Sequence, residues 1–267
     1  MRLRRLVTFL LGAAWLAASG LPAAEKNGDL LRFLPASGNS VYPAQGLLRR
    51  WPAGGPKELW RVEVGHGKSA VVESEGRAYT AAETDASQWA LALNPQSGAT
   101  IWKKLLLPKP NKHFERGPVT SPVIDGDRIY FVPYAIDKDV WDMRCPVVCL
   151  DREGRELWRL DRDLWASEAS TPLVVGDTLY VGADSAGRAV LAALDKRSGK
   201  VRWTTKVPSE SERELAAPAS LTYQEVGGIP QVVVGTYGTR ELLGVHAATG
   251  KILWRYPYPA GITIGLM

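Results

Sequence analysis

The residue types able to do chemistry are few and widely spaced. The 267-residue chain has two cysteines, Cys145 and Cys149, and three histidines, His66, His113 and His246. Four residues apart on one extended strand, the cysteines point to the same face about 13 Å from each other, too far for a disulfide unless Pro146 bends the chain. The histidines have no metal-ligand spacing, and there is no Cys-x-x-Cys-His for haem attachment. Gly67-Lys68-Ser69 ends like a phosphate loop, but Val62 stands where its first glycine belongs, and a strand follows instead of a helix. No Gly-x-Ser-x-Gly elbow is present. Glu168, Asp142 and Asp184 fall on connections, where no spacing singles them out as ligands. No catalytic, cofactor-binding or metal-binding residue is therefore assigned.

Aromatic and basic side chains are better placed for recognition. Trp141, Trp165, Tyr134 and Tyr237 lie on or near long connections, in the company of Arg116, Arg144 and Arg240. Trp, Tyr and Arg dominate binding hot spots, which makes Arg116, Trp141, Arg144, Trp165, Tyr237 and Arg240 the candidate partner-binding residues. The alternative is that these aromatics fold back on their own loops.

What must position them is a repeat. Ala193-Leu194-Asp195-Lys196-Arg197-Ser198-Gly199 runs on to Trp203, and the same order of small residue, apolar residue, turn and Trp recurs at 92–102, 149–158 and 244–254. Gly98, Gly154, Gly199 and Gly250 each precede their tryptophans, Trp102, Trp158, Trp203 and Trp254, by four residues. A degenerate fifth end closes on Trp60. The five tryptophans are 42, 56, 45 and 51 residues apart, the period of propeller blades. Each copy reads as a hairpin in which Asn94, Asp151 or Asp195 bonds its own backbone and the glycine supplies the positive φ. His246 takes that turn position in the fourth copy. The Trp reads as a wedge against neighbouring strands with its indole N–H near a turn carbonyl. Cys149 occupies the small-residue column of Ala92, Ala193 and Gly244, a packing position.

Short β-branched and aromatic runs between turn signals give four strands per unit. The expected fold is all-β, a propeller of four-stranded antiparallel blades at about 61–107, 118–160, 170–207 and 217–256. The long connections 108–118, 133–144, 161–170 and 208–217 follow second or fourth strands. They therefore emerge at one end of the blades, the end expected to carry function. Residues 261–267 read as the start of another blade, with the chain expected to be truncated there.

The first 24 residues have the three parts of a secretory signal: Arg2, Arg4 and Arg5, an apolar run, and Pro22-Ala23-Ala24 before Glu25. An uncleaved membrane anchor is the other reading. Without those arginines the formal charge falls from +5 to about +2, which argues against a nucleic-acid partner. A lead-in at 25–55 then precedes the repeat domain at 56–267.

The hairpin and Trp unit, preceded by Ser121-Pro122-Val123-Ile124-Asp125-Gly126-Asp127 and Thr171-Pro172-Leu173-Val174-Val175-Gly176-Asp177, resembles the pyrroloquinoline-quinone (PQQ)-like propeller repeat of secreted BamB-like proteins. Gly46-Leu47-Leu48-Arg49-Arg50-Trp51-Pro52 is also similar to exported bacterial members. The resemblance implies about seven or eight blades in a complete protein, with about four present here. It also implies two function classes. Quinoprotein dehydrogenases hold PQQ on calcium, often stacked on a disulfide of adjacent cysteines, which Cys145 and Cys149 do not match. BamB-like members are scaffolds without a cofactor. The expectation is a non-catalytic scaffold, monomeric, periplasmic or outer-membrane associated, with other envelope proteins as partners and membrane contact only through the leader or those partners. A PQQ-dependent dehydrogenase or its remnant is the alternative, and carbohydrate binding through exposed aromatics is a third reading.

Overall fold

The computed structural model describes residues 30–33, 46, 48–108, 117–137, 142–161, 170–183, 189–207, 220–236 and 239–258. The leader, most of 25–45 and residues 259–267 lie outside the described residues.

Alternation of apolar with small or polar residues, broken by Gly-containing turns, yields four antiparallel sheets of four strands. Blade 1 is β1 (Val72–Ser74), β2 (Arg77–Thr84), β3 (Ser87–Leu93) and β4 (Thr100–Leu107). Blade 2 is β5 (Val123–Asp125), β6 (Arg128–Phe131), β9 (Val147–Asp151) and β10 (Glu156–Leu160). Its second connection carries an extra hairpin, β7 (Ala135–Asp137) and β8 (Asp142–Arg144), where sequence reading saw only a loop. Blade 3 is β11 (Leu173–Val175), β12 (Thr178–Gly182), β13 (Ala189–Asp195) and β14 (Val201–Lys206). Blade 4 is β15 (Thr222–Val226), β16 (Ile229–Gly235), β17 (Glu241–His246) and β18 (Ile252–Pro257). Its first strand is set by the pairing of Thr222 to Val226 in register with Val233 to Ile229 across the Gly227-Gly228 turn.

Successive side chains of a strand serve opposite seams. In β3, Ala90 and Ala92 pack with Ile129, Phe131, Val148 and Leu150 of blade 2, while Leu91 and Leu93 pack with Ala78, Ala82 and Val64 on the other side. In β13, Ala192 and Leu194 join the core shared with blade 2, and Leu191 and Ala193 join the core shared with blade 4. The strands are therefore apolar on both faces, and the core is a series of sheet-on-sheet seams.

One row of side chains crosses every blade. Val72, Tyr79, Ala92 and Trp102 pair successively across blade 1, as do Val123, Tyr130, Cys149 and Trp158 across blade 2 and Leu173, Tyr180, Ala193 and Trp203 across blade 3. The third residue is small because it lies between two rings whose centroids are only about 6 Å apart. A β-bulge precedes each Trp. Trp102 faces Ala92 while Thr100 faces Leu93, so Ile101 is the extra residue, and Leu157, Arg202 and Leu253 repeat it. The bulge bends the outer strand where the large ring must leave its own sheet.

Candidate interaction face

The blade ends are fixed by turn chemistry. Asn94 Oδ1 accepts from the Gln96 and Ser97 N–H groups at 2.9 and 3.1 Å, and Asp195 Oδ1 accepts from Arg197 and Ser198 at 3.1 and 2.9 Å. His246 does the same work with a ring nitrogen, its Nδ1 accepting from Ala248 N–H at 3.2 Å. Each Trp then docks on the following blade. Trp102 Nε1 donates to Arg152 O at 2.8 Å and Trp158 Nε1 to Lys196 O at 3.1 Å, while their rings cover Gly154 and Gly199. Trp203 covers Gly250 in the same way. Trp254 departs from the pattern, lying over Gly244 of its own blade with its indole donating to Gln231 Oε1 at 2.6 Å.

Tyrosines reinforce the seams. Tyr130 Oη donates to Lys196 O at 3.1 Å and Tyr180 Oη to Ala247 O at 3.0 Å. The equivalent Tyr79 hydroxyl is buried with no hydrogen-bond partner among the described residues, and the Asp151 turn of the next blade is one residue shorter than its counterparts. Basic residues on these turns reach back one blade: Lys196 Nζ pairs with Asp125 at 2.6 Å, and Arg152 donates to Ser74 Oγ at 3.1 Å, while also bonding Gly126 O of its own blade at 2.7 Å.

These short turns occupy one end of the blades, and the connections after second and fourth strands occupy the other. At that second end, buried polar side chains hold connection backbone. Glu83 accepts from Gly117 N–H at 3.1 Å. Gln88 is fully buried, donates to Tyr134 O and accepts from Tyr134 N–H. Thr236 Oγ1 accepts from Glu241 N–H at 2.8 Å, and Tyr258 Oη donates to Thr236 O at 2.8 Å. Glu241 in turn pairs with Arg255 at 2.9 Å.

Of the six candidate partner-binding residues, two are described. Arg240 is exposed at the β16–β17 connection in a left-handed conformation, φ 55°. Arg144 lies in β8, opposite Ala135. Arg116, Trp141, Trp165 and Tyr237 lie outside the described residues, as do Glu168 and Asp184. Tyr134, grouped with them by sequence, is a core residue between blades 2 and 3. Sequence reading missed Glu83 and Gln88, whose only signal is a charged and an amide residue in otherwise apolar strands.

Both cysteines are buried and neither is in a disulfide. Cys145 lies before β9, off the strand that carries Cys149. Burial pushes the Cys149 thiol up to about 12, which removes the reactive thiolate. Native protein is therefore expected to leave Cys149 unlabelled by iodoacetamide at pH 8, with labelling only in denaturant. Peptide mass mapping reads this directly, and native labelling would mean an open seam.

Asp195 carries a second testable charge. The Arg202 guanidinium at 2.6 Å, with the Ser198 N–H and hydroxyl, holds its carboxyl well below the ordinary range. Such a group stabilises the fold above its unfolded value, about pH 4, and the contribution fades as pH falls through the lower folded value. Asp195→Asn is expected to lower the urea midpoint at pH 7, with the difference closing below about pH 4. A difference independent of pH would mean that the carboxylate charge is not what holds this turn.

Residues 45–254 match the family described as outer membrane protein assembly factor BamB. The chain belongs to this PQQ-repeat family. Quinohemoprotein alcohol dehydrogenase ADH IIB of Pseudomonas putida is 33% identical over 130 residues, which cover 41% of this chain and 17% of the dehydrogenase. Among solved structures, the quinohemoprotein alcohol dehydrogenase of Comamonas testosteroni superposes with TM-score 0.55 and 14% identity, over 71% of this chain and 35% of that one. BamB of Moraxella catarrhalis gives TM-score 0.47 and 18% identity, over 72% and 51%. The chain thus spans about a third of the Comamonas dehydrogenase and less of the Pseudomonas one. With the four sheets, the Comamonas superposition establishes the fold of the family as a partial PQQ-like propeller.

Proposed function

We propose that this family member is a non-catalytic protein-interaction scaffold of the cell envelope, exported to the periplasm or the outer membrane, with another envelope protein as its partner. The observation that carries the reading is the construction of the long-connection end. There Glu83 and Gln88 hold the backbone of Gly117 and Tyr134 on described parts of the connections, and Thr236 holds that of Glu241 at the start of β17, the kind of rigid support from which recognition loops usually project. The charge of about +2 after the leader gives no basis for a nucleic-acid partner.

Identity to a quinohemoprotein alcohol dehydrogenase supports a second reading, a PQQ-dependent dehydrogenase or its remnant. The described residues do not fit that group. Cys149 is locked between Tyr130 and Trp158 in a blade core, and no three His, Cys, Asp or Glu side chains among the described residues converge to hold a metal.

One experiment separates the two. The chain without residues 1–24 is titrated with PQQ and Ca²⁺, and in parallel a photo-crosslinker is placed at Tyr237, at Trp165 and, as a control on the short-turn end, at Lys200. The scaffold reading expects no saturable calcium-dependent quinone absorbance, and one envelope protein captured from Tyr237 and Trp165 but not from Lys200. Saturable quinone binding, or equal capture from Lys200, would overturn it.

A further inference from the structure

The segment leading into Trp60 is basic, aromatic and, among the described residues, exposed. From Gly46 to Lys57 the sequence contains Arg49, Arg50 and Lys57 and no acidic residue. The first carboxylate after them, Glu58, is already taken by Arg61 at 2.6 Å. Arg49, Arg50 and Lys57 are exposed, and so are the apolar side chains between and beside them: Leu48 at 62%, Trp51 at 64% and Leu59 at 76%. Local geometry holds the segment in place. Gly55 N–H donates to Pro52 O at 2.8 Å, closing a turn, and Trp60 is fastened to blade 1 through Pro95 O at 2.8 Å. Pro95 belongs to a short turn, so the segment joins the body at the end opposite the long connections.

We propose that residues 48–59 dock this protein on the phosphate headgroups of an anionic phospholipid bilayer. Guanidinium groups match phosphate oxygens in a bidentate manner, and an indole with flanking leucines partitions to the boundary between headgroups and acyl chains. A bilayer surface accepts such side chains without the shaped pocket that a protein partner would have to supply. Docking at this end leaves the long connections facing away from the membrane. The inference rests on the envelope location in the scaffold reading, but vesicle binding tests it without any protein partner.

The leader-free chain is cosedimented with vesicles of phosphatidylcholine alone and of phosphatidylcholine with about one third phosphatidylglycerol. Binding is expected only to the anionic vesicles and is released as salt rises, since surface attraction is screened. R49S/R50S is expected to weaken it roughly 30-fold, from about 1 kcal/mol per basic residue at such a surface, and Trp51→Ala on the order of tenfold. All of these residues are exposed, so urea midpoints should not move and misfolding is excluded as the cause. Equal binding to both vesicles, or binding unchanged in R49S/R50S, would overturn the proposal. Retention on immobilised polyglutamate without vesicle binding would also overturn it, in favour of an acidic protein surface. Failure of the crosslinking experiment leaves these outcomes untouched.

Discussion

Gly199→Ala should cost about 2–5 kcal/mol in urea denaturation, while Gly176→Ala should cost only about 1–2. Both glycines have positive φ, 72° and 55°, so both substitutions carry the left-handed penalty of about 1–2 kcal/mol for an L side chain. They differ in what the new methyl meets. At Gly176 nothing lies within 4 Å, whereas at Gly199 the methyl would stand 2.5 Å from Trp158 Cε3. Relief requires the ring to back out of its contact and lengthen the 3.1 Å bond from Nε1 to Lys196 O, an overpacking cost of about 1–3 kcal/mol. Equal losses for the two variants would show that the indole is not seated on that turn.

Trp203→Ala should cost about 3–5 kcal/mol, the range for truncating a large packed aromatic. Its location is the sharper test. Trp203 belongs to β14 by sequence but covers Gly250 of blade 4, whose carbonyl is also held by Thr205 Oγ1 at 2.8 Å. Hydrogen exchange is therefore expected to lose protection at the N–H groups of His246 and Gly250, which close that turn, as much as in β14. Loss confined to blade 3 would mean that the Trp works within its own sheet.

The contrast between those two expectations marks what was readable from sequence. The hairpin chemistry was legible because it is local: Asp195, Gly199 and their neighbours write a turn into adjacent residues, and even His246 could be placed as a substitute acceptor. The four-strand unit followed from alternation and turn punctuation. The destination of each Trp was not legible, because spacing along the chain is nearly the same whether the ring covers its own turn or the next one. The bulge residues Ile101, Leu157, Arg202 and Leu253 were missed for a related reason, since an extra residue in a strand is visible only against its partner. The extra hairpin in blade 2 was hidden in Ala135-Ile136-Asp137 and Asp142-Met143-Arg144, runs too short and too polar to register as strands. At the long-connection end, Arg240 was singled out by residue type alone. Glu83 and Gln88 were passed over because a polar residue in an apolar strand gains meaning only from the backbone it meets across space.

The Trp contact also gives the array a direction. Trp60 sits on Gly98 and bonds Pro95 O as the later tryptophans treat the blades after them, and Val64, four residues on, packs against blade 1 as Leu106 packs against blade 2. Residues 60–64 therefore act as the outer edge of a unit standing before blade 1. Blades 1–3 each give an indole forward and receive one from behind, whereas the Trp254 indole stays on its own blade, so the contact between units runs head to tail, the kind of relation that closes rings or continues as open arrays.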